Sequence, residues 1–246
     1  QAQILALLDD LQRRHGLTVT AEQQLMLPCV VTGLRAAVLA LTEPGDKVIV
    51  QSPCYGPFYA SVRDSNRQLA DCPLIRQPDG GYRMDLDAIE AACKDGAKVM
   101  LLCNPHNPVG YAWSEDELRA LWNVLDRYGV WLVSDEIHED FELSGKVTPF
   151  LRIVTDENAR LLSMTSASKT FNLAGLQQAV LLTRDQALKK RLEEQMRYAG
   201  VVQGNIFAMT ATEAAYAHGD AWLDGLLDYL REAEALLRRE LSARLP

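Results

Sequence analysis

Residues 98–110 read Lys-Val-Met-Leu-Leu-Cys-Asn-Pro-His-Asn-Pro-Val-Gly. Lys98–Cys103 is an apolar run without the polar alternation of a half-solvated strand, so both of its faces are covered, and the turn formers of Asn104–Gly110 end it. The same grammar recurs twice. Val130–Val133 leads into Ser134-Asp135-Glu136-Ile137-His138, and Arg160–Met164 leads into Thr165-Ser166-Ala167-Ser168-Lys169-Thr170. Between the first two runs, Ser114 and Glu117 form an S-x-x-E capping box, and Leu118, Leu121, Trp122 and Leu125 line one face of the helix it starts. Further strands are predicted at Lys47–Gln51 (entered from the turn Glu43-Pro44-Gly45-Asp46), Gln68–Asp71 and Gln178–Leu182. Helices are predicted around Phe58–Asp64, Asp85–Cys93, Gln186–Tyr198 and Trp222–Leu245. Continuous apolar strands alternating with helices predict an α/β fold, a mostly parallel central sheet with helices on both faces.

Composition narrows the function classes. The chain has 246 residues with 25 Lys and Arg against 33 Asp and Glu, a net charge of −8, and 48% hydrophobic residues. That make-up is globular and long enough for a substantial core. The acidic balance and the lack of a basic stripe argue against nucleic acid as a partner. Apolar runs such as Val99–Cys103 and Ala179–Leu182 fall far short of the roughly 18 residues of a membrane span, which argues against a membrane partner. Five cysteines without a C-x-x-C pair fit reduced thiols in a cytoplasmic protein and give no metal signature. No signal-peptide pattern opens the chain. Gln1 is not an initiator, Ile4, Leu5, Leu7, Leu8 and Leu11 run at helical spacing from the first turn, and the last helix stops at Pro246, so the chain reads as a piece of a longer protein.

In open α/β sheets, ligands bind beyond the carboxyl ends of the strands. Three strand exits carrying Asn107, Asp135 with His138, and Ser166, Ser168 and Lys169 therefore converge on one crevice, provided that the strands are parallel neighbours. Singly, each residue has a plain reading: a solvated lysine, a helix-capping aspartate, a surface histidine, an Asn-Pro turn. Their joint placement at strand exits reads as a site.

These segments resemble the pyridoxal-phosphate (PLP) enzymes of aspartate-aminotransferase fold, fold type I, and within them the cystathionine β-lyase or C–S lyase branch. The resemblance runs from about Gly16 to Pro246. It rests on Pro44-Gly45-Asp46, Pro53–Phe58, Gly81–Asp85, Asn104–Gly110, Ser134–His138 and Ser166–Gly175. It implies Lys169 as the Schiff-base lysine and carrier of the substrate Cα proton. Asp135 would hold the pyridine nitrogen protonated, which makes the ring an electron sink. Asn107 would bond the ring 3-oxygen, His138 would take the place where transaminases carry a tyrosine, and Tyr55 would lie on the ring face. For the phosphate, Thr32, Gly33 and Leu34 precede a helix-like stretch at Arg35–Leu41 and would offer amides, and Ser166 and Ser168 would add hydroxyls. The implied layout is a lead-in segment over residues 1–28, a PLP-binding large domain over 29–220, and the start of an interdomain helix and C-terminal domain over 221–246, with the small domain largely missing. A homodimer and a small amino-acid substrate are also implied.

Several positions depart from the family pattern. Gln177 stands where many relatives have an arginine that pairs with the phosphate, which the lyase branch commonly lacks. Pro28-Cys29-Val30 and Pro53-Cys54-Tyr55 replace Pro-Gly-Val and Pro-Val-Tyr. The resemblance places the substrate-carboxylate arginine, and an aromatic residue lent by a partner subunit, outside this chain. Three readings stay open. The first is a β-lyase releasing a thiol, pyruvate and ammonia from cystathionine or a related cysteine conjugate. The second is an aminotransferase using the same residues, and the third is a regulatory or binding protein on the same fold. A complete set of cofactor residues argues against a purely structural role.

Overall fold

The computed structural model describes residues 2–201 and 204–245; Gln1 and Pro246, the ends cited above, lie outside the described residues. In chain order the elements begin with α1 (Ala2–His15), β1 (Gln24–Leu27), α2 (Val30–Leu41), β2 (Lys47–Val50), α3 (Gly56–Arg63) and β3 (Gln68–Asp71). A hairpin of β4 (Ile75–Arg76) and β5 (Tyr82–Arg83) precedes α4 (Leu86–Lys94), β6 (Val99–Cys103), α5 (Glu115–Arg127) and β7 (Trp131–Asp135). The chain continues through α6 (Phe150–Ile153), β8 (Leu161–Thr165), α7 (Ala167–Thr170), β9 (Ala179–Leu182), α8 (Gln186–Tyr198), α9 (Ile206–His218) and α10 (Asp220–Arg244). No helix among the described residues is long and apolar enough to cross a membrane.

The seven-stranded sheet has the order β1-β9-β8-β7-β6-β2-β3. Its apolar strands are covered on both sides, and the two-residue period of a strand decides which core each side chain enters. On β6, Met100 and Leu102 join one core with Leu7 and Leu11 of α1, Ile89 of α4, and Leu118, Leu121 and Leu125 of α5. Val99, Leu101 and Cys103 point the other way, toward Leu34 and Val38 of α2, Phe58 of α3, and Leu188 and Leu192 of α8. Every residue of β6 is buried, and each such aliphatic side chain contributes about 1.5–3 kcal/mol of burial free energy. The capping box at Ser114 forms as the sequence predicts: Glu117 N–H donates to Ser114 Oγ, and Ser114 N–H donates to a Glu117 carboxylate oxygen at 2.8 Å.

Strands β2, β3, β6, β7 and β8 are mutually parallel. The sheet is mostly parallel, as predicted, with two features that the sequence did not place. β9 runs antiparallel to β8, because the link between them holds only a four-residue helix and a 3₁₀ turn, and the chain doubles back at the same end of the sheet. Gln24–Leu27, read above as part of a lead-in segment, forms the edge strand β1, antiparallel to β9 and so aligned with the parallel set. The carboxyl ends of β1, β6, β7 and β8 and the start of β9 therefore share one edge. Register fixes the neighbours there: Cys103 pairs with Asp135, Asp135 with Met164, and Leu27 with Ala179.

Candidate active site

Along that edge lies a cavity of about 290 Å³, lined among others by Pro28, Cys29, Val30, Val31, Tyr55, Asn107, Asp135, His138, Ser168 and Lys169. Asp135 is the last residue of β7 and is 4% exposed. Its Oδ1 accepts the Ile137 N–H at 3.2 Å. Burial raises its pKa from 3.8 to about 7, against the lowering pull of that hydrogen bond and of the Lys169 ammonium. His138 lies one turn further along the same loop. Burial lowers its pKa and the Lys169 charge lowers it further, so its imidazole is neutral near pH 7.

Asn107 is carried by the Asn-Pro turn after β6. The Cys103 thiol organises this turn, accepting the Asn107 N–H at 3.3 Å and donating to the Pro105 carbonyl at 3.2 Å. Trp113 Nε1 donates to the Cys103 carbonyl at 3.0 Å, pinning the return of the turn. Lys169 stands on α7, whose N-cap is Ser166. Tyr55, 42% exposed, is the N-cap residue of α3 and lines the same cavity.

The anion-binding end differs from the sequence reading. The helix starts at Val30, not Arg35, with Cys29 as N-cap and no side-chain oxygen on its amides. The unsatisfied donors are therefore those of Val30, Val31 and Thr32. Gly33 N–H already donates to the Cys29 carbonyl at 3.3 Å, and Leu34 is wholly buried in the core. The missed start has a simple cause: cysteine gives no capping signal, whereas Thr32 imitates one. Gly33 lets α2 lie flush on the sheet, since a Cβ there would come within 2.6 Å of Leu27 Cδ1 and would overlap Met164. Ser168 lines the cavity, but Ser166 does not. The Ser166 hydroxyl donates to the Gln178 carbonyl at 2.6 Å and accepts the Ser168 N–H at 3.0 Å.

Gln177, named above only as a departure, also lines the cavity, as do Ile137, Ala174, Gln178 and Cys103, whose place in an apolar run reads as core alone. The apolar pattern of β6 and the turn back into β9 were the available signals. The donor set fits a planar, carbonyl-bearing ligand with a phosphate. It comprises an amine for the carbonyl, a buried carboxyl for a basic ring nitrogen, an amide and an imidazole for a ring oxygen, and an open helix N-terminus for the phosphate.

Comparison with known proteins follows the same lines. The sequence profile described as aminotransferase class I and II matches residues 2–245. The chain is 41% identical to the cystathionine beta-lyase PatB of Bacillus subtilis over 237 residues, 94% of this chain and 61% of that protein. It superposes on the PLP-bound C–S lyase of Staphylococcus hominis with a TM-score of 0.93 at 30% identity, covering 100% of this chain and 63% of the other. Against cystalysin of Treponema denticola, which contains a pyridoxal 5′-phosphate cofactor, the TM-score is 0.96 at 26% identity, with 100% and 62% covered. The chain thus spans about three fifths of the length of the relatives it matches. With a profile match across nearly every residue and an α/β sheet that superposes throughout, the chain belongs to the aminotransferase class I and II family.

Proposed function

We propose that this chain carries the cofactor-binding part of a PLP-dependent C–S β-lyase, which cleaves cystathionine or a related cysteine S-conjugate, with uptake of one water, to a thiol, pyruvate and ammonia. The observation that carries this reading is the shared cavity of Lys169 and the buried carboxyl of Asp135. The substrate class is supported by the names of the relatives, a cystathionine beta-lyase and a C–S lyase. A homodimer and a cytoplasmic setting belong to the same proposal. The setting is consistent with five free cysteines.

When bound, PLP supplies the electron sink that acidifies the substrate Cα–H and allows the Cβ–S bond to break. The protein supplies the rest. Asp135, whose proton is retained to about pH 7, would share that proton with the ring nitrogen. Lys169 Nζ takes the Cα proton and so acts as general base. Asn107 and the neutral His138 would hold the ring 3-oxygen. The amides of Val30, Val31 and Thr32, with the Ser168 hydroxyl, would hold the phosphate at the positive end of α2. Tyr55 would pack on the ring.

The test is turnover of cystathionine by the protein with added PLP and no oxo-acid. Pyruvate release under these conditions is the expected result. Nitrogen transfer to 2-oxoglutarate without pyruvate would reject lysis in favour of transamination.

A further inference from the structure

Lys169 stands on α7, a helix of four residues, too short to be stable by its own hydrogen bonds. Side chains hold it at both ends, and both lines of contact lead to α1. At the front, Ser166 accepts the Ser168 N–H and donates to the carbonyl of Gln178, whose Nε2 donates to Gln3 Oε1 at 3.3 Å. At the back, Thr170 Oγ1 donates to Asp140 Oδ2 at 2.7 Å, and Asp140 Oδ1 lies 2.9 Å from His15 Nε2. Gln3 and His15 belong to α1, which thus reaches both ends of the lysine segment.

Asp140, His15 and Thr170 are all buried, and none of the three lines the cavity. Burial alone would lower the pKa of His15, but the neighbouring Glu139 and Asp140 acids, the latter also by its hydrogen bond, raise it to about 9. Burial likewise opposes ionisation of Asp140, yet His15 and Thr170 hold its pKa below the ordinary carboxylate range. The pair is an imidazolium and a carboxylate, and the carboxylate's second oxygen is taken by Thr170. A buried charge with both oxygens bonded has one low-energy arrangement. Glu139, hydrogen-bonded to Thr165, with Asp10 and Arg14 of α1 and Tyr216 of α9, completes the surroundings.

We propose that Asp140 is a positioning residue for Lys169, bracing α7 against α1 through Thr170 and His15. The brace bears on catalysis only if Lys169 has the role proposed above, so its test has an arm that does not depend on that role. Hydrogen exchange on the full chain, without added cofactor, reads the amides of Phe171 and Leu173, which close α7 on Ala167 O and Ser168 O at 2.9 and 3.0 Å. Loss of a hydrogen bond to a buried carboxylate in Thr170→Val raises exchange at these amides about tenfold or more, and Thr170→Ser restores it, while amides of α5 keep their rates. Asp140→Asn shifts the same amides in the same direction. Should Asp140→Asn fail to fold because His15 is left with a buried unpaired charge, the Thr170 pair decides.

In the second arm, with PLP and cystathionine, Thr170→Val lowers kcat about tenfold with KM within about twofold, and Thr170→Ser returns it. Unchanged exchange at Phe171 and Leu173 in Thr170→Val overturns the proposal. So does raised exchange with unaltered kcat in an active enzyme. A parent protein that releases no pyruvate refutes the lyase reading instead, and the exchange arm then settles the brace alone.

Discussion

Replacing Asp135 by asparagine should make the cofactor-free protein more stable while disabling the site. The side chain is 4% exposed, and its one described hydrogen bond, from Ile137 N–H at 3.2 Å, is one that an asparagine oxygen also accepts. The folded carboxyl keeps its proton up to about pH 7, whereas the unfolded one loses it near 3.8. Between those values the folded parent binds more protons than the unfolded chain, so its stability falls as pH rises. Each pH unit is worth about 1.4 kcal/mol, and roughly three units set a ceiling of about 4 kcal/mol. Relaxation and water in the cavity reduce this, leaving an expected gain of about 1–3 kcal/mol for Asp135→Asn at pH 8. The gain opens between about pH 4 and 7 and is flat above. Urea unfolding of both proteins at pH 5, 6, 7 and 8 measures it. The same variant with PLP should turn over at least about a hundredfold more slowly, as expected when a preorganised charge is removed. A stability difference that is constant with pH, or a variant less stable than the parent at pH 8, would refute the reasoning.

Other outcomes follow from the packing and the buried charges. Gly33→Ala should cost about 1–3 kcal/mol through overpacking against Met164 and Leu27, reduced by about 1 kcal/mol of helix propensity. By lifting α2 it should weaken binding of PLP more than of pyridoxal, which lacks the phosphate; equilibrium titration of both ligands checks this. The melting temperature of the cofactor-free protein should fall as pH rises from 5 to 9. Asp10, Glu136 and Glu139 retain protons to about pH 6, 7 and 8 because burial disfavours their charged forms, and His15 retains its proton to about pH 9. Each of these contributions is full below the unfolded pKa and lost as pH climbs through the folded one. Asp140, shifted downward, acts in the opposite sense only in acid. One kcal/mol moves Tm by about 2–4 °C at this chain length, so calorimetry across the range suffices.

The interior strands and their exits were legible because the physics that shapes them is local. The Lys98–Cys103 run is buried along its whole length, and the residues after it fall where a parallel strand delivers them. Asp135, Asn107, Lys169, His138, Tyr55 and Ser168 are brought to one cavity as that pattern requires. What escaped depends on partners distant in sequence. Gln24–Leu27 is four residues long, only partly buried, and becomes a strand by pairing with β9, 152 or more residues later. The start of α2 escaped because Cys29 lacks a capping oxygen, the same property that leaves the Val30, Val31 and Thr32 amides open. The burial of Glu136, Glu139 and Asp140 had no signal in the residues beside them. Thr165 bonds Glu139, and Thr170 and His15 bond Asp140, from three other places in the chain, while Ser134 bonds Glu136 from the same strand end.

The central claim is that Lys169 reaches the carbonyl of a phosphate-bearing pyridine held by its cavity. Incubation with PLP, reduction with borohydride and peptide mass spectrometry tests it directly. The account predicts a single reduced adduct on the peptide containing Lys169, absent in Lys169→Ala, which should still bind PLP noncovalently. An adduct spread over surface lysines with Lys169 unmodified would contradict it.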